Sequence, residues 1–120
     1  MNYYIGDIHL FHKNVTKEGT NFDNRPFKIM EEMHEVIKTN WNGIVTSSDD
    51  VYIDGDLCWK HNESSIYLVS QLKGNKHLIL GNHDIIKDQR YRQLFNEIVP
   101  YKEVNDVIDG KIYRVILSHY

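Results

Sequence analysis

Acidic, imidazole and amide side chains directly follow four short apolar runs of this 120-residue sequence. The polar segments are Gly6-Asp7-Ile8-His9, Asp54-Gly55-Asp56, Gly81-Asn82-His83-Asp84 and Ser118-His119. In a layered α/β sheet, the loops that follow the strand ends share one crevice, and ligands bind there. Oxygen and nitrogen donors without a thiolate suit Mn, Fe, Zn, Mg or Ni rather than Cu(I) or an iron–sulfur cluster. The pattern therefore predicts one metal site assembled from distant parts of the chain.

The elements that must position these residues alternate along the chain. Strands are predicted at residues 3–5, which should form a short buried strand, and at 51–53 and 77–80. Helices are predicted over 29–41 and 86–98, and a further helix should begin at a cap, Asn62, and stop at Gly74. A hairpin is predicted at 104–117, because Asp109-Gly110 supplies the positive φ angles of a tight turn. Residues 10–28 are predicted to form a long irregular loop. The alternation indicates an α/β fold, a layered and mostly parallel sheet flanked by helices.

Composition limits the class of protein. A chain of 120 residues fits one domain with one core. The net charge of −3 argues against a general basic surface for nucleic acid. The single cysteine, Cys58, is expected to be a buried, inert thiol that cannot form an internal disulfide, as in a reducing cytosol. No apolar stretch is long enough to span a membrane, so we expect a cytoplasmic protein without a membrane partner.

Taken in order, Asp7-x-His9, Gly55-Asp56, Gly81-Asn82-His83-Asp84 and Ser118-His119 resemble the calcineurin-like metallophosphoesterase superfamily. The similarity is strongest to the small bacterial and phage phosphoesterases. It implies two divalent metal ions of the Mn, Fe, Zn or Ni type. It assigns Asp7 and His9 to one metal, Asp56 to a bridge between the two, and Asn82 and His119 to the second. His83 is implied as the general acid or transition-state stabiliser, with its ring oriented by Asp84.

These residue types suit the hydrolysis of a phosphate ester. A bridging carboxylate such as Asp56 offsets the repulsion of two cations ~3.5–4 Å apart, and a water held between them becomes a hydroxide that attacks phosphorus. A histidine such as His83 can give a proton near physiological pH. We therefore expect a metal-dependent phosphohydrolase, with a phosphodiesterase favoured. The alternatives are a catalytically impaired metal- or protein-binding module on the same scaffold, and a non-catalytic nucleic-acid-binding domain, which the acidic balance disfavours.

One segment of the family pattern is missing from this sequence. Relatives carry Gly-His-x-His after a further strand, whereas this chain ends at Tyr120. The explanations are a truncated chain, a site completed by another chain, or a degenerate relative. Truncation is favoured, so residues 1–120 are expected to form one metallophosphoesterase domain that is incomplete at the C-terminus and weakly active. A missing strand also predicts an exposed sheet edge and some self-association.

Other polar residues have weaker assignments. His12 and Arg25 could contact the phosphate of a substrate, since an arginine fork matches phosphate oxygens. A solvated loop histidine explains His12 equally well, whereas for Arg25 a surface arginine before a helix is slightly favoured. His34 and His61 are expected to be exposed, and His77 to be structural.

Overall fold

A computed structural model of the chain describes residues 1–6, 8, 10–11, 29–58, 63–80 and 89–118. The elements, in chain order, are β1 (Asn2–Gly6), α1 (Met30–Ile44), β2 (Asp50–Asp54), α2 (Glu63–Ser70), β3 (Asn75–Ile79), α3 (Gln89–Arg92), β4 (Glu97–Val99), β5 (Lys102–Ile108) and β6 (Lys111–Leu117). No helix within these ranges is long and apolar enough to cross a membrane.

The main sheet has the order β1-β2-β3-β4, and each neighbouring pair is parallel. Strands β5 and β6 form a separate antiparallel hairpin. Its turn has φ angles of +50° at Asp109 and +78° at Gly110, as the Asp-Gly signal predicted. The α/β prediction, with a parallel sheet and helices packed on it, is confirmed.

Strand β2 is buried on both of its faces, and this makes it the centre of the fold. Val51 and Ile53 pack with α1, α2 and α3 in the larger apolar cluster. Tyr52 points the other way and packs with Val104 and Leu117 of the hairpin. Since side chains alternate along a strand, these two clusters define a helical layer and a hairpin layer on opposite faces of the sheet.

Two helix ends depend on tertiary contacts. Helix α1 continues to Ile44, three residues beyond the predicted end, and the Trp41 indole N–H donates to the Lys73 carbonyl at 2.8 Å. Helix α2 ends at Ser70, and Gly74 lies in the turn into β3 with φ +101°. A Cβ on Gly74 would lie 2.8 Å from Cγ1 of Val45, so glycine is required there for space as well as conformation. The predicted cap, Asn62, lies outside the described residues.

Two predictions about the elements are wrong. Helix α3 spans only Gln89–Arg92 within the described part, and Ile98, predicted as helical, belongs to β4 and pairs with Leu78. The apolar spacing of this segment is compatible with a helix, but the Glu97–Val99 run gains backbone pairing with β3. Strand β1 is not buried, because among the described strands it pairs only with β2 and its Tyr4 and Ile5 are 38% and 39% exposed.

Candidate functional site

Three parallel strands end side by side at one edge of the main sheet. Gly6 of β1 pairs with Asp54 of β2, and Asp54 pairs with Ile79 of β3. These three residues are the last of their strands, and the first predicted metal ligands, Asp7, Asp56 and Asn82, follow one, two and three positions later in the sequence. The three strands that precede three of the four predicted polar segments therefore end at the same edge, where α/β proteins bind ligands.

Asp56 is the predicted metal ligand that falls within the described part of the chain. It is 5% exposed, and it follows Gly55 in a turn with φ angles of +81° at Gly55 and +46° at Asp56. A non-glycine residue in the left-handed region is uncommon, and such residues cluster at functional sites. Two consecutive left-handed residues turn the chain sharply off β2 and place a carboxylate in a buried position at the strand end.

The loops after β1 and β2 run alongside each other. A Cβ on Gly6 would lie 2.9 Å from the carbonyl oxygen of Asp54, so the close approach of the two strands requires glycine. Further along, the Leu10 amide donates to the Leu57 carbonyl at 2.7 Å, and Leu10 forms a parallel bridge with Cys58. The two chain segments thus pair on either side of Asp56, through Gly6 with Asp54 before it and through Leu10 with Cys58 after it.

Asp54 is a site residue to which the sequence analysis gave no role of its own. Its Oδ1 atom is buried and has no hydrogen-bond partner within the part of the chain that the structure describes. It lies on the same face of β2 as Tyr52, the face covered by the hairpin. The available signal was an acidic residue as the last member of an apolar strand, two positions before Asp56.

Most of the predicted site lies outside the described residues. This applies to the metal ligands Asp7, His9, Asn82 and His119, to His83 and Asp84, and to His12 and Arg25. Among the residues that are described, no three histidine, cysteine, aspartate or glutamate side chains form a group that could hold a metal ion. The assignments of these eight residues therefore stay predictions.

His34 differs from its prediction, because it is partly buried rather than exposed. Its Nε2 accepts a hydrogen bond of 3.0 Å from the backbone N–H of Phe11, and the two rings lie 4.3 Å apart. Burial lowers the pKa of His34, which favours the neutral ring that can accept this bond. Phe11 itself has a φ of +63°, so His34 helps to hold a left-handed residue one position before His12.

His77 is structural, as predicted, and Cys58 is buried, as predicted. The His77 ring stacks on Tyr52 with centroids 4.5 Å apart. Its Nδ1 lies 2.9 Å from Glu97 and its Nε2 lies 2.9 Å from Asp50. The two carboxylates face opposite ring nitrogens, so the cluster is a hydrogen-bonded bridge across three strands rather than a site that encloses a cation. His61 lies outside the described residues.

Comparison with known protein families shows to which family this chain belongs. Residues 3–119 match the family described as calcineurin-like phosphoesterase. This chain belongs to that family, which comprises metal-dependent phosphoesterases that generally bind two divalent ions. The similarity predicted from the four polar segments is therefore confirmed for the family.

Individual relatives agree with this membership. The chain is 39% identical over 84 residues to an uncharacterized protein, MJ1445, of Methanocaldococcus jannaschii, and 29% identical over 85 residues to the gene 66 protein of Mycobacterium phage L5. Each match covers 68% of this chain but only 46% and 39% of the relatives. The crystal structure of a protein of unknown function, AQ665 from Aquifex aeolicus, is similar with a TM-score of 0.74 and 33% identity, over all of this chain and 60% of that one.

The described residues fit the divalent cations of this family. Asp56 is buried, and Asp54, two residues earlier at the end of β2, has a buried Oδ1 with no hydrogen-bond partner among the described residues. Buried carboxylates are unfavourable unless they are paired or coordinate a metal. Carboxylate oxygens are hard donors that suit Mn and Mg.

Proposed function

We propose that this protein is a metal-dependent phosphohydrolase that acts on phosphodiesters. The observation that carries the proposal is the position of Asp56. Its carboxylate is buried on a left-handed turn where β2 ends level with β1 and β3. The residues that follow β1 and β3 in sequence include Asp7 and Asn82, the types that would complete a dinuclear site. Family membership supports the phosphoesterase class.

Five residues would hold the cations. We assign Asp7 and His9 to one ion, Asp56 to the bridge, and Asn82 and His119 to the second ion. When bound, the pair of divalent ions supplies a nucleophilic hydroxide near neutral pH and neutralises charge on the phosphate oxygens. Manganese is the first ion to test, although the same donors accept Fe, Zn or Ni.

Other side chains would act on the substrate. A diester expels an alkoxide that needs a proton, and His83 follows Asn82 directly in the sequence, so we assign His83 as the proton donor. Asp84 would fix the tautomer of that ring. His12 and Arg25 would contact the non-reacting phosphate oxygens, where a guanidinium fork can make two hydrogen bonds.

The direct test compares a chromogenic phosphodiester with the corresponding monoester, with and without Mn²⁺. We expect two Mn²⁺ per chain, faster hydrolysis of the diester, and loss of both binding and activity in Asp56→Ala. His83→Ala should keep its metal while losing activity. The matched control is Asp109→Ala, which removes an aspartate that also has a left-handed backbone (φ +50°) but lies in the exposed hairpin turn.

The test also separates the second candidate function, a metal- or protein-binding module on the same scaffold. Two bound Mn²⁺ with no hydrolysis of either ester would favour that module. Failure to bind Mn²⁺, and then Fe, Zn or Ni tested in its place, would overturn the phosphohydrolase proposal.

Location and self-association belong to the same proposal. We place the protein in the cytoplasm, since a single cysteine suits a reducing compartment.

Self-association through an exposed sheet edge is supported by β1, whose outer edge pairs with none of the described strands. Sedimentation velocity at increasing concentration, with Ile5→Lys as the edge variant, should show a dimer that this charge on β1 weakens.

A further inference from the structure

Phe11 has a backbone conformation that bulky residues avoid. Its φ of +63° lies in the left-handed region, where a side chain of this size is an outlier. Such a conformation persists where the surrounding structure holds it in place. His34 of helix α1 makes two contacts with Phe11. Its Nε2 accepts a hydrogen bond of 3.0 Å from the Phe11 N–H, and the two rings lie 4.3 Å apart with a tilt of 50°.

Helix α1 gives His34 a fixed position. The neighbouring Met33 is fully buried. Further along the helix, the Asn42 amide donates a bond of 2.9 Å to the Gln71 carbonyl and accepts one of 3.0 Å from the Lys73 N–H. The helix is therefore anchored both by its apolar face and by the turn before β3. A side chain on a rigid element positions its partner more precisely than one on a loop.

The residue before Phe11 is held by a different partner. The Leu10 N–H donates to the Leu57 carbonyl at 2.7 Å, and Leu10 is fully buried. Leu57 directly follows Asp56, the bridging ligand of the proposed site. Leu10 is thus anchored to the segment of Asp56, whereas Phe11 is anchored to helix α1.

The turn at Phe11 sets the direction in which the chain continues. Because φ and ψ are the only soft dihedrals of a residue, the conformation of Phe11 determines how the next residue is placed relative to Leu10. That next residue is His12, which lies outside the described residues and which we assign to the phosphate of the substrate. Even a displacement of about 1 Å in a group that positions the substrate is costly.

We propose that His34 is a positioning residue for the substrate: it holds the left-handed turn at Phe11 and so directs the segment that begins with His12 towards the phosphate. This inference rests on the proposed phosphohydrolase function. Since Leu10 is bonded to the segment of Asp56 independently of His34, loss of the His34 acceptor should weaken substrate binding and leave the metals bound.

The experiment compares His34→Gln with His34→Asn. Oε1 of glutamine is as many bonds from the backbone as Nε2 of histidine, whereas Oδ1 of asparagine is one bond nearer, so only glutamine should reach the Phe11 N–H. We expect His34→Asn to raise KM for the chromogenic phosphodiester by about 3–10-fold, the factor that corresponds to one intramolecular hydrogen bond. Its kcat and its two bound Mn²⁺ should be retained. His34→Gln should remain close to the wild type.

Amide hydrogen exchange at Phe11 in the metal-free protein provides a readout that does not depend on activity. Exchange should be equally slow in the wild type and His34→Gln and clearly faster in His34→Asn, because the bond that protects this N–H is lost. The matched control is Asn42→Leu, which removes two hydrogen bonds of the same helix and leaves the contact between His34 and Phe11 in place. This variant should lower the free energy of unfolding without changing KM.

The outcomes separate the two proposals. Equal KM values in the wild type and His34→Asn, or equal changes in His34→Gln and His34→Asn, would overturn the role of His34 and leave the phosphohydrolase function standing. Loss of Mn²⁺ from His34→Asn, or a similar rise of KM in Asn42→Leu, would also overturn that role, because His34 would then support the metal centre or the helix in general.

A wild type that hydrolyses neither ester would overturn the proposed function. The affinity of the Mn²⁺-loaded chain for inorganic phosphate, compared across the same variants, would then decide the role of His34. Weaker phosphate binding in His34→Asn alone would support it, and equal binding in all variants would overturn it. A chain that binds neither Mn²⁺ nor phosphate would overturn both proposals.

Discussion

The Tyr4 hydroxyl donates a hydrogen bond of 2.9 Å to Oδ2 of Asp106, and this bond joins strand β1 of the main sheet to strand β5 of the hairpin. The ring of Tyr4 also stacks on Tyr52, with centroids 5.5 Å apart. Tyr4, Tyr52, His77 and Glu97 are consecutive partners in the register and form one row across the sheet. The row anchors the hairpin whose second strand leads to His119.

Replacing Tyr4 with phenylalanine should keep the ring stack and remove the bond to Asp106. We expect the free energy of unfolding in urea to fall by about 0.5–1.5 kcal/mol, the range for one intramolecular hydrogen bond. The control is Tyr101→Phe, since its hydroxyl bonds to Glu103 two residues away and does not connect separate elements. Equal losses in both variants would contradict an anchoring role for Tyr4.

The same bond predicts behaviour at alkaline pH. Burial first, and then the bond to Asp106, raise the pKa of Tyr4 to about 12 from an ordinary value of 10.0. A raised pKa in the folded state means that this contribution to stability is complete below pH 10 and is lost as the pH rises towards 12. Spectrophotometric titration should show that Tyr4→Phe removes a tyrosine that ionises near pH 12, although Tyr52 and Tyr101 also have raised pKa values. An unchanged titration curve would refute the assignment.

Gly6→Ala should disturb the candidate site by steric overlap. The new Cβ would meet the Asp54 carbonyl oxygen at 2.9 Å, and this backbone atom cannot rotate away. We expect a loss of about 1–3 kcal/mol in unfolding free energy and weaker Mn²⁺ binding, as the end of β1 is pushed away from β2. Gly43→Ala is the matched control, because its Cβ would meet nothing within 4 Å. In helix α1 it should stabilise the protein by about 0.5–1 kcal/mol. The same sign in both variants would refute the steric explanation.

His34 should make stability depend on pH on the acid side. Burial lowers its pKa below the ordinary 6.5, so the unfolded chain takes up a proton before the folded chain does. Stability should therefore fall as the pH drops below about 6.5 and level off once the folded histidine is also protonated. His34→Gln should flatten this fall in urea unfolding measured from pH 7.5 to 5. A folded-state pKa above 6.5, measured by NMR titration, would contradict the prediction.

Asp56→Gly should separate stability from metal binding. Glycine adopts the observed φ of +46° without strain, so we expect the metal-free variant to keep the turn and to remain folded. Mn²⁺ at 100 times its dissociation constant should stabilise the wild type by about 2.7 kcal/mol and the variant by much less. Thermal unfolding with and without Mn²⁺ measures both effects. Equal stabilisation of the two proteins would remove Asp56 from the metal site.

Local chemistry and periodicity were sufficient for much of this protein. The alternating strands and helices predicted the parallel sheet, Asp109-Gly110 predicted the hairpin turn, and the ordered polar segments predicted the family. Each of these depends on a few neighbouring residues, because turn conformations and strand ends are encoded locally. The same local information left Ile98 ambiguous, since a short apolar run suits a helix or a strand until its pairing partner is known.

Tertiary structure decided what depends on distant neighbours. Strand β1 is exposed because it pairs with only one of the described strands, and His34 is partly buried against Phe11, 23 residues away. The tertiary structure also placed the ends of β1, β2 and β3 level and buried Oδ1 of Asp54, which has no partner among residues 1–6, 8, 10–11, 29–58, 63–80 and 89–118. The sequence alone determined which residues could bind metal and where the chain would turn. Only the fold decided which side chains are desolvated together, because burial is set by packing between segments far apart in the chain.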